Sequence, residues 1–240
     1  MSRRDGTRPE DLYDYVYSWK DYGAEAAAAR EILSIEGVGE GSRVLEAACG
    51  TGRYLEHLAQ WFLVSGFDLD PTMLRAAQWR VPSGTLFLGD MAAFSVDVPC
   101  DALLCLFGGM GYLPPGTPLA SGASAFYAAV RPGGVALIEP WVEPDEFVSG
   151  RAWMQTYVSA NFKLARLVVP RREGKRCVLD FHYQLARAGH RVEQLRATES
   201  LWLHTTAELI AQLEAVGFEV RLTNQGFMPS RHLLICRRLR

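Results

Sequence analysis

Val44-Leu-Glu-Ala-Ala-Cys-Gly-Thr-Gly-Arg53 is the stretch on which the reading of this 240-residue chain turns. An apolar strand runs into an acid, Glu46, and then into a turn of small residues that opens a helix. Gly50 and Gly52 carry no side chain, so a ligand can approach the backbone closely there. A dinucleotide-binding loop needs a third small residue three places after the second glycine. Here Arg53, Tyr54 and Leu55 follow Gly52, so that place is bulky. No P-loop lysine follows Gly52 either, and Glu46 would repel a pyrophosphate. The loop therefore predicts a ligand without phosphates, preferably a cationic one.

Outward from this loop, strands alternate with helices. Strands are predicted at residues 43–48, 63–68, 85–88, 101–107 and 135–139, with helices at 52–62, 71–79 and 119–130 between them. The 101–107 stretch is apolar throughout, as a strand covered on both faces should be. Alternation of this kind means crossover connections, so the fold class is α/β, doubly wound, with a mostly parallel seven-stranded sheet. Upstream, residues 21–35 read as a helix that Asp21 caps and Gly37 ends. Before it, Asp11–Trp19 is rich in tyrosine, too aromatic for an idle tail. Beyond Pro140, residues 154–169, 176–186 and 191–203 alternate with period two, with hairpin turns at Glu173-Gly174-Lys175 and Ala188-Gly189-His190. They read as an antiparallel β extension. A helix over 205–216, capped by Thr205 or Thr206, and strands at 218–222 and 232–236 close the chain.

Composition excludes several function classes. Lys and Arg (25) nearly balance Asp and Glu (27), which leaves no basic footprint for nucleic acid. With 49% apolar and 22% charged residues the chain can build a core. No apolar run approaches the ~20 residues of a membrane span, and residues 1–10 have no signal-peptide core. Five cysteines without a C-x-x-C pair predict free thiols, a cytoplasmic location and no metal site.

Two further acids fall at strand ends. Asp68 in Gly66-Phe-Asp-Leu-Asp70 can accept both hydroxyls of a ribose. Asp90 in Gly89-Asp-Met91 can accept an adenine amino group, with the following N–H facing the ring and Leu69 and Met73 as apolar walls. Together, Glu46, Asp68 and Asp90 with this strand order resemble the class I S-adenosylmethionine-dependent methyltransferases, a Rossmann-like fold, over residues 41–139. Ala48 stands where that family's first motif usually has glycine.

The flanks narrow the resemblance. Leu12-Tyr-Asp14, Lys20-Asp-Tyr22, Ala48-Cys-Gly-Thr-Gly52, Gly89-Asp-Met91, Glu139-Pro-Trp141 and His182-Tyr183 occur in one order. That set is similar to the sugar-nucleotide N,N-dimethyltransferases of the desosamine and mycaminose pathways, from about Leu12 to Leu234. The resemblance implies S-adenosylmethionine as cofactor, with Tyr13 and Tyr22 closing over it. It also implies contacts from Ala48, Gly50, Asp68, Asp90, Met91 and Leu106. On the acceptor side it implies Trp141 and His182 at the sugar nucleotide, with Arg231 and Arg166 holding the diphosphate. It implies a homodimer as the possible assembly. The chain departs from the family at Gly108-Gly-Met-Gly-Tyr112, where relatives have a Ser-Ser-Ile-Gly-His type stretch. Tyr112 thus replaces a histidine near the acceptor amine, and Gly108 and Gly109 are expected to leave room for a bulkier acceptor. An upstream active-site tyrosine of the family has no counterpart in residues 3–10.

The expected plan is one methyltransferase domain: a helical lid (1–40), a cofactor core (41–140), an extension over the acceptor site (141–204) and closing elements (205–240). The expected reaction is methyl transfer to a small-molecule acceptor, with Tyr112 as the catalytic residue and a sugar-nucleotide amine favoured. Alternatives are another small amine or a hydroxyl, or a cofactor-binding protein without turnover. A nicotinamide dehydrogenase is disfavoured by Leu55 and by the absence of its catalytic pattern.

Overall fold

The computed structural model describes residues 9–228 and 231–239. Expectations for residues 1–8 and for Arg240 lie outside the described part. The chain divides into two compact units, one built on Asp21–Glu143 with His204–Arg240 and the other on Pro144–Leu203 with the segment up to Lys20.

The larger unit holds a seven-stranded sheet. Its parallel strands are β1 (Arg43–Ala47), β2 (Leu63–Asp68), β3 (Thr85–Leu88), β4 (Cys100–Cys105) and β5 (Val130–Ile138). The hairpin of β11 (Phe218–Thr223) and β12 (Leu233–Arg238) closes it, antiparallel to β5. Spatial order is β11-β12-β5-β4-β1-β2-β3, so the winding reverses between β1 and β4. Successive residues of these strands feed opposite faces. Leu45, Leu103 and Cys105 join Ala123, Phe126, Leu209 and Leu213 from α5 (Thr117–Ala129) and α6 (Thr206–Ala215). Val44, Ala102 and Leu104 join Ala26, Leu33, Leu55 and Leu58 from α2 (Tyr22–Ile35) and α3 (Arg53–Leu58). Burial on both faces explains why these strands lack alternation in the sequence.

Local signals place most helix ends. Asp21 accepts the Ala24 N–H at 2.9 Å, and Thr205 and Glu208 form a reciprocal capping box. Asp70 caps α4 (Pro71–Arg80), with Pro71 in its first turn. Two boundaries differ from expectation. Arg131-Pro-Gly-Gly134 is part of β5, where the pairing with β4 slips after Cys100. The slip is held by Arg131, whose Nε lies 2.5 Å from Asp101 Oδ1. Helix α3 stops at Leu58, four residues before the expected end, where the Gln60 and Trp61 N–H groups bond three residues back, to His57 and Leu58, instead of four.

The smaller unit is an antiparallel sheet in the order β10-β9-β7-β6, with β8 pairing β9. Its strands are β6 (Trp153–Val158), β7 (Phe162–Val168), β8 (Arg171–Glu173), β9 (Arg176–Arg187) and β10 (Glu193–Trp202). The expected single strand over 154–169 is a hairpin, because the Ser159 hydroxyl accepts the Phe162 N–H at 3.1 Å and folds the chain back. Helix α1 (Pro9–Val16) belongs to this unit: Leu12 and Val16 are buried with Leu164 and Leu185. The expected lid over 1–40 is therefore shared, α1 lying in one unit and α2 in the other.

Candidate functional site

In an open α/β sheet the crevice outside the strand carboxyl ends, at the point of reversal, is where ligands bind. Here that point lies between β1 and β4, and the three acids of the sequence reading fall on β1, β2 and the turn after β3. Glu46 is buried at the end of β1, and its Oε2 has no hydrogen-bond partner among the described residues. Burial, and then the nearby charge of Asp68, push its carboxyl well above the ordinary range. After it, Ala48 is held in the left-handed region at φ 52°, which explains why glycine suits this position. Gly50 also has positive φ, and a side chain there would meet nothing within 4 Å, so its face is open. Gly52 differs: a Cβ would stand 3.0 Å from that of Ala77, so this glycine lets α3 pack on α4.

Asp68 ties the loop to the sheet. Its Oδ2 accepts the Gly50 N–H at 2.8 Å and its Oδ1 the Asp70 N–H at 2.9 Å. Burial raises its carboxyl, and these amides oppose that rise. A carboxylate has about four acceptor positions, so two amides leave capacity for hydroxyls. Asp90 is exposed, and its Oδ1 accepts the Ala92 N–H at 2.9 Å. Leu69 is 70% exposed beside Asp68, a large apolar surface with nothing of the fold to cover it. Met73 is half-buried, and Met91 and Leu106 are buried. Cys49 and Cys105 are buried, with thiols raised chiefly by that burial, which makes them fillers and not nucleophiles.

Tyr22 and Arg53 stand together at the loop. Tyr22 is buried, edge-on to Tyr54, with the Arg53 guanidinium 4.9 Å from its ring centroid. It is a core residue of α2, not an exposed cover. Arg53 Nε is buried and without a hydrogen-bond partner among the described residues. The sequence reading used Arg53 only as a bulky residue after the glycines. Its signal as a binding group was its charge next to an acid-bearing loop. An acid oxygen and a guanidinium nitrogen without hydrogen-bond partners among the described residues, an open glycine face and a bare leucine fit S-adenosylmethionine, whose amino-acid end is a zwitterion and whose adenine is flat.

Beyond β4 the chain is packed more tightly than expected. Phe107 is left-handed at φ 54°, strain of the kind that gathers at functional sites. Gly108 and Gly109 do not leave open room. A Cβ on Gly108 would sit 2.9 Å from Trp141, and one on Gly109 would sit 2.8 Å from Cys105 Sγ. Their missing side chains are replaced by the Trp141 indole and the Cys105 thiol. Tyr112 closes the 3-10 turn Gly109–Tyr112 and is 49% exposed. Buried His204, with Nε2 2.7 Å from the carbonyl of Leu113, holds the chain just after it.

Glu139 was read only as part of a motif. It is fully buried, and its oxygens accept the N–H groups of Phe107, Phe227 and Met228 at 2.8–2.9 Å. Arg231 Nη1 lies 3.9 Å from Glu139 Oε2, and its guanidinium is 5.3 Å from the Phe107 ring centroid. Only 15% of the Arg231 side chain is exposed.

The remaining predicted residues lie on the smaller unit. Tyr13 packs its ring 4.7 Å from Tyr17. Arg166 is buried, stacked over Tyr17 and Phe181, with Nε 2.9 Å from Gln155 Oε1 and Nη1 3.2 Å from the Tyr17 hydroxyl. Its donors serve Gln155 on β6 and Tyr17 just after α1, both in its own unit. His182 is exposed on β9, across from Arg196. Among the described residues no cluster of His, Cys, Asp and Glu could hold a metal ion, and no helix is long and apolar enough to cross a membrane.

The chain is similar to known proteins over most of its length. The methyltransferase-domain family matches residues 44–134. Over 219 residues the chain is 32% identical to the dTDP-3-amino-3,4,6-trideoxy-alpha-D-glucopyranose N,N-dimethyltransferase of Streptomyces venezuelae, covering 90% of this chain and 92% of that protein. The crystal structure of Streptomyces venezuelae DesVI matches with a TM-score of 0.89 at 30% identity, over 96% of this chain and 98% of that one. The S-adenosylmethionine-bound structure of CalS10, an amino pentose methyltransferase from Micromonospora echinaspora, matches with a TM-score of 0.85 at 28% identity, over 95% and 96%.

Proposed function

The chain belongs to the sugar N,N-dimethyltransferases within the class I S-adenosylmethionine-dependent methyltransferases, and from that premise we propose that it methylates the amine of a nucleotide-linked amino sugar. One observation carries this reading: the similarity to a sugar-nucleotide enzyme spans 90% of the chain, well beyond the cofactor core. S-adenosylmethionine, when bound, supplies an electrophilic methyl on a sulfonium.

The protein's own residues hold and align. Asp68 accepts the ribose hydroxyls with the lone pairs its two amides leave. Glu46 takes an ammonium and Arg53 a carboxylate, so each buried orphan atom gains a partner. Asp90 and the backbone after it read the adenine edge, between Leu69 and Met73. The acceptor amine must arrive neutral and in line, and alignment is the largest contribution, up to about 7–11 kcal/mol in favourable cases. Tyr112, half-exposed, accepts a hydrogen bond from that amine and orients it while the proton leaves to water. Trp141 contacts the sugar nucleotide. The diphosphate meets Arg231, whose charge Glu139 shares. Arg166 supports its own sheet and is not assigned to phosphate.

A homodimer formed along β6 would cover Trp153, Met154 and Val158, all exposed there; sedimentation velocity tests it. Five buried free thiols suit a reducing cytoplasm. The decisive experiment offers dTDP-linked 3-amino sugars beside phosphate-free amines and phenols. Two successive methyl additions to the nucleotide sugar are expected. Equal or better turnover of a phosphate-free acceptor sinks the proposal and leaves the family assignment standing.

A further inference from the structure

We propose that Glu139 is a positioning residue for methyl transfer, tying the turn that carries Tyr112 to the loop that carries Arg231. The inference rests on the reading of those two segments as the methyl-transfer and acceptor sides. Glu139 follows β5 and is fully buried, yet it does not serve a neighbouring turn of its own. Its Oε2 accepts the Phe107 N–H at 2.9 Å. Its Oε1 accepts the N–H groups of Phe227 and Met228, each at 2.8 Å. The backbone repeats the first attachment: the Glu139 N–H donates to Cys105, and Gly108 N–H donates to the Glu139 carbonyl at 3.2 Å.

One side chain thus satisfies amides from two segments far apart in sequence. Both lie at the carboxyl edge of the sheet, one next to β4 and the other next to β12. Arg231 completes the link. Its guanidinium stands 3.9 Å from the oxygen that holds Phe107 and also covers the Phe107 ring. Phe107 needs such holding, because a non-glycine residue at φ 54° persists only where its surroundings over-determine it. A buried ion pair is weak evidence for stability, since apolar residues of like volume often do as well. What a carboxylate does here, and an apolar residue cannot, is accept hydrogen bonds on both sides at once. Gly226 leaves the space for it: a Cβ there would lie 3.0 Å from Glu139 Oε1.

Glu139→Gln keeps the shape but offers one acceptor oxygen in place of two. Expected is a fall in kcat of at least about tenfold with a higher acceptor KM, since small misplacements of reacting groups are expensive. The dissociation constant of S-adenosylhomocysteine should stay within twofold of wild type. In hydrogen exchange, the segments around Phe107 and around Phe227–Met228 should lose protection together, while β1 and β2 keep theirs. Glu139→Gln/Arg231→Gln removes both charges, so its Tm should return towards wild type while kcat stays low. If Glu139→Gln does not fold, Glu139→Asp, one methylene shorter, should bind the cofactor product normally and lose turnover.

Wild-type kcat in Glu139→Gln, or joint recovery of Tm and kcat in the double variant, overturns the proposal. So does loss of exchange protection in one segment alone. A wild-type enzyme inactive on every amino-sugar nucleotide would refute the proposed function instead. The exchange measurement would still decide whether Glu139 ties the two segments.

Discussion

The β1–β2 end and the β4–β5 end of the sheet treat charge in opposite ways. At the ends of β1 and β2, Glu46 Oε2 is buried without a hydrogen-bond partner among the described residues, Gly50 faces open space and Leu69 stands bare. Beyond β4 and β5, Glu139 accepts three backbone amides, Arg231 Nη1 lies 3.9 Å from it, and the gaps at Gly108 and Gly109 are filled. Polar groups left short of partners mark where a ligand completes the structure, because a buried unsatisfied group costs about 1–3 kcal/mol until something meets it. Polar groups already satisfied mark where the protein has built a rigid frame. The contrast marks the β1–β2 end as a surface open to a ligand and the frame around Glu139 as a scaffold.

Asp68→Ala tests the binding surface most severely. It removes the acceptor for the ribose and for the Gly50 amide, so affinity for S-adenosylhomocysteine should fall by about 1.5–3 kcal/mol, roughly 10- to 150-fold. Asp68→Asn, which can still accept one amide, should recover part of the loss. Unchanged affinity in calorimetry, with the fold intact, takes the ribose away from Asp68.

Arg166→Met asks the converse question of a saturated cation. Denaturant unfolding should show a loss of about 2 kcal/mol, the scale of hydrogen bonds to a charged group, with cofactor affinity unchanged. A selective rise in acceptor KM with no loss of stability would return Arg166 to the diphosphate.

Glu46→Gln should separate the two behaviours in one residue. Affinity for S-adenosylhomocysteine should drop about tenfold, near 1.4 kcal/mol, as the ammonium loses a charged partner. Stability without ligand should move the other way. The folded-state carboxyl is raised above its ordinary 4.5, so the folded protein binds the proton more tightly than the unfolded chain. Stability of the unliganded protein therefore declines as pH climbs from about 4.5 towards the raised value. Glutamine removes that decline, and Tm at pH 8 should exceed that of wild type. A lower Tm for the variant contradicts the orphan carboxylate.

Ala48→Gly is the smallest expected effect. Relief of left-handed strain, about 1–2 kcal/mol, outweighs the entropy that glycine adds, about 0.5–1 kcal/mol. The net gain is roughly 0.5–1 kcal/mol, a Tm rise of about 1–4 °C at this size. Scanning calorimetry that finds no rise would mean the alanine sits there without strain.

Sequence alone was enough for whatever depends on neighbours along the chain. The alternation of strands and helices, the caps at Asp21 and Thr205, the glycine turn and the strand-end acids Glu46, Asp68 and Asp90 follow from periodicity and turn chemistry. These are local rules, satisfied within a few residues. Family resemblance added the cofactor and the reaction class. Tertiary structure decided which charges were already spoken for. Nothing near Glu139 in the sequence announces Phe227 or Arg231, and nothing near Arg166 announces Tyr17 or Gln155. It also decided that 154–169 folds back as β6 and β7, that Trp141 and Cys105 occupy the space above the glycines, and that α1 and α2 lie in separate units. Hydrogen bonds and ion pairs between distant segments depend on where the backbone returns in space. A residue's type shows what it can bind, but only the packed fold shows whether its valences remain open.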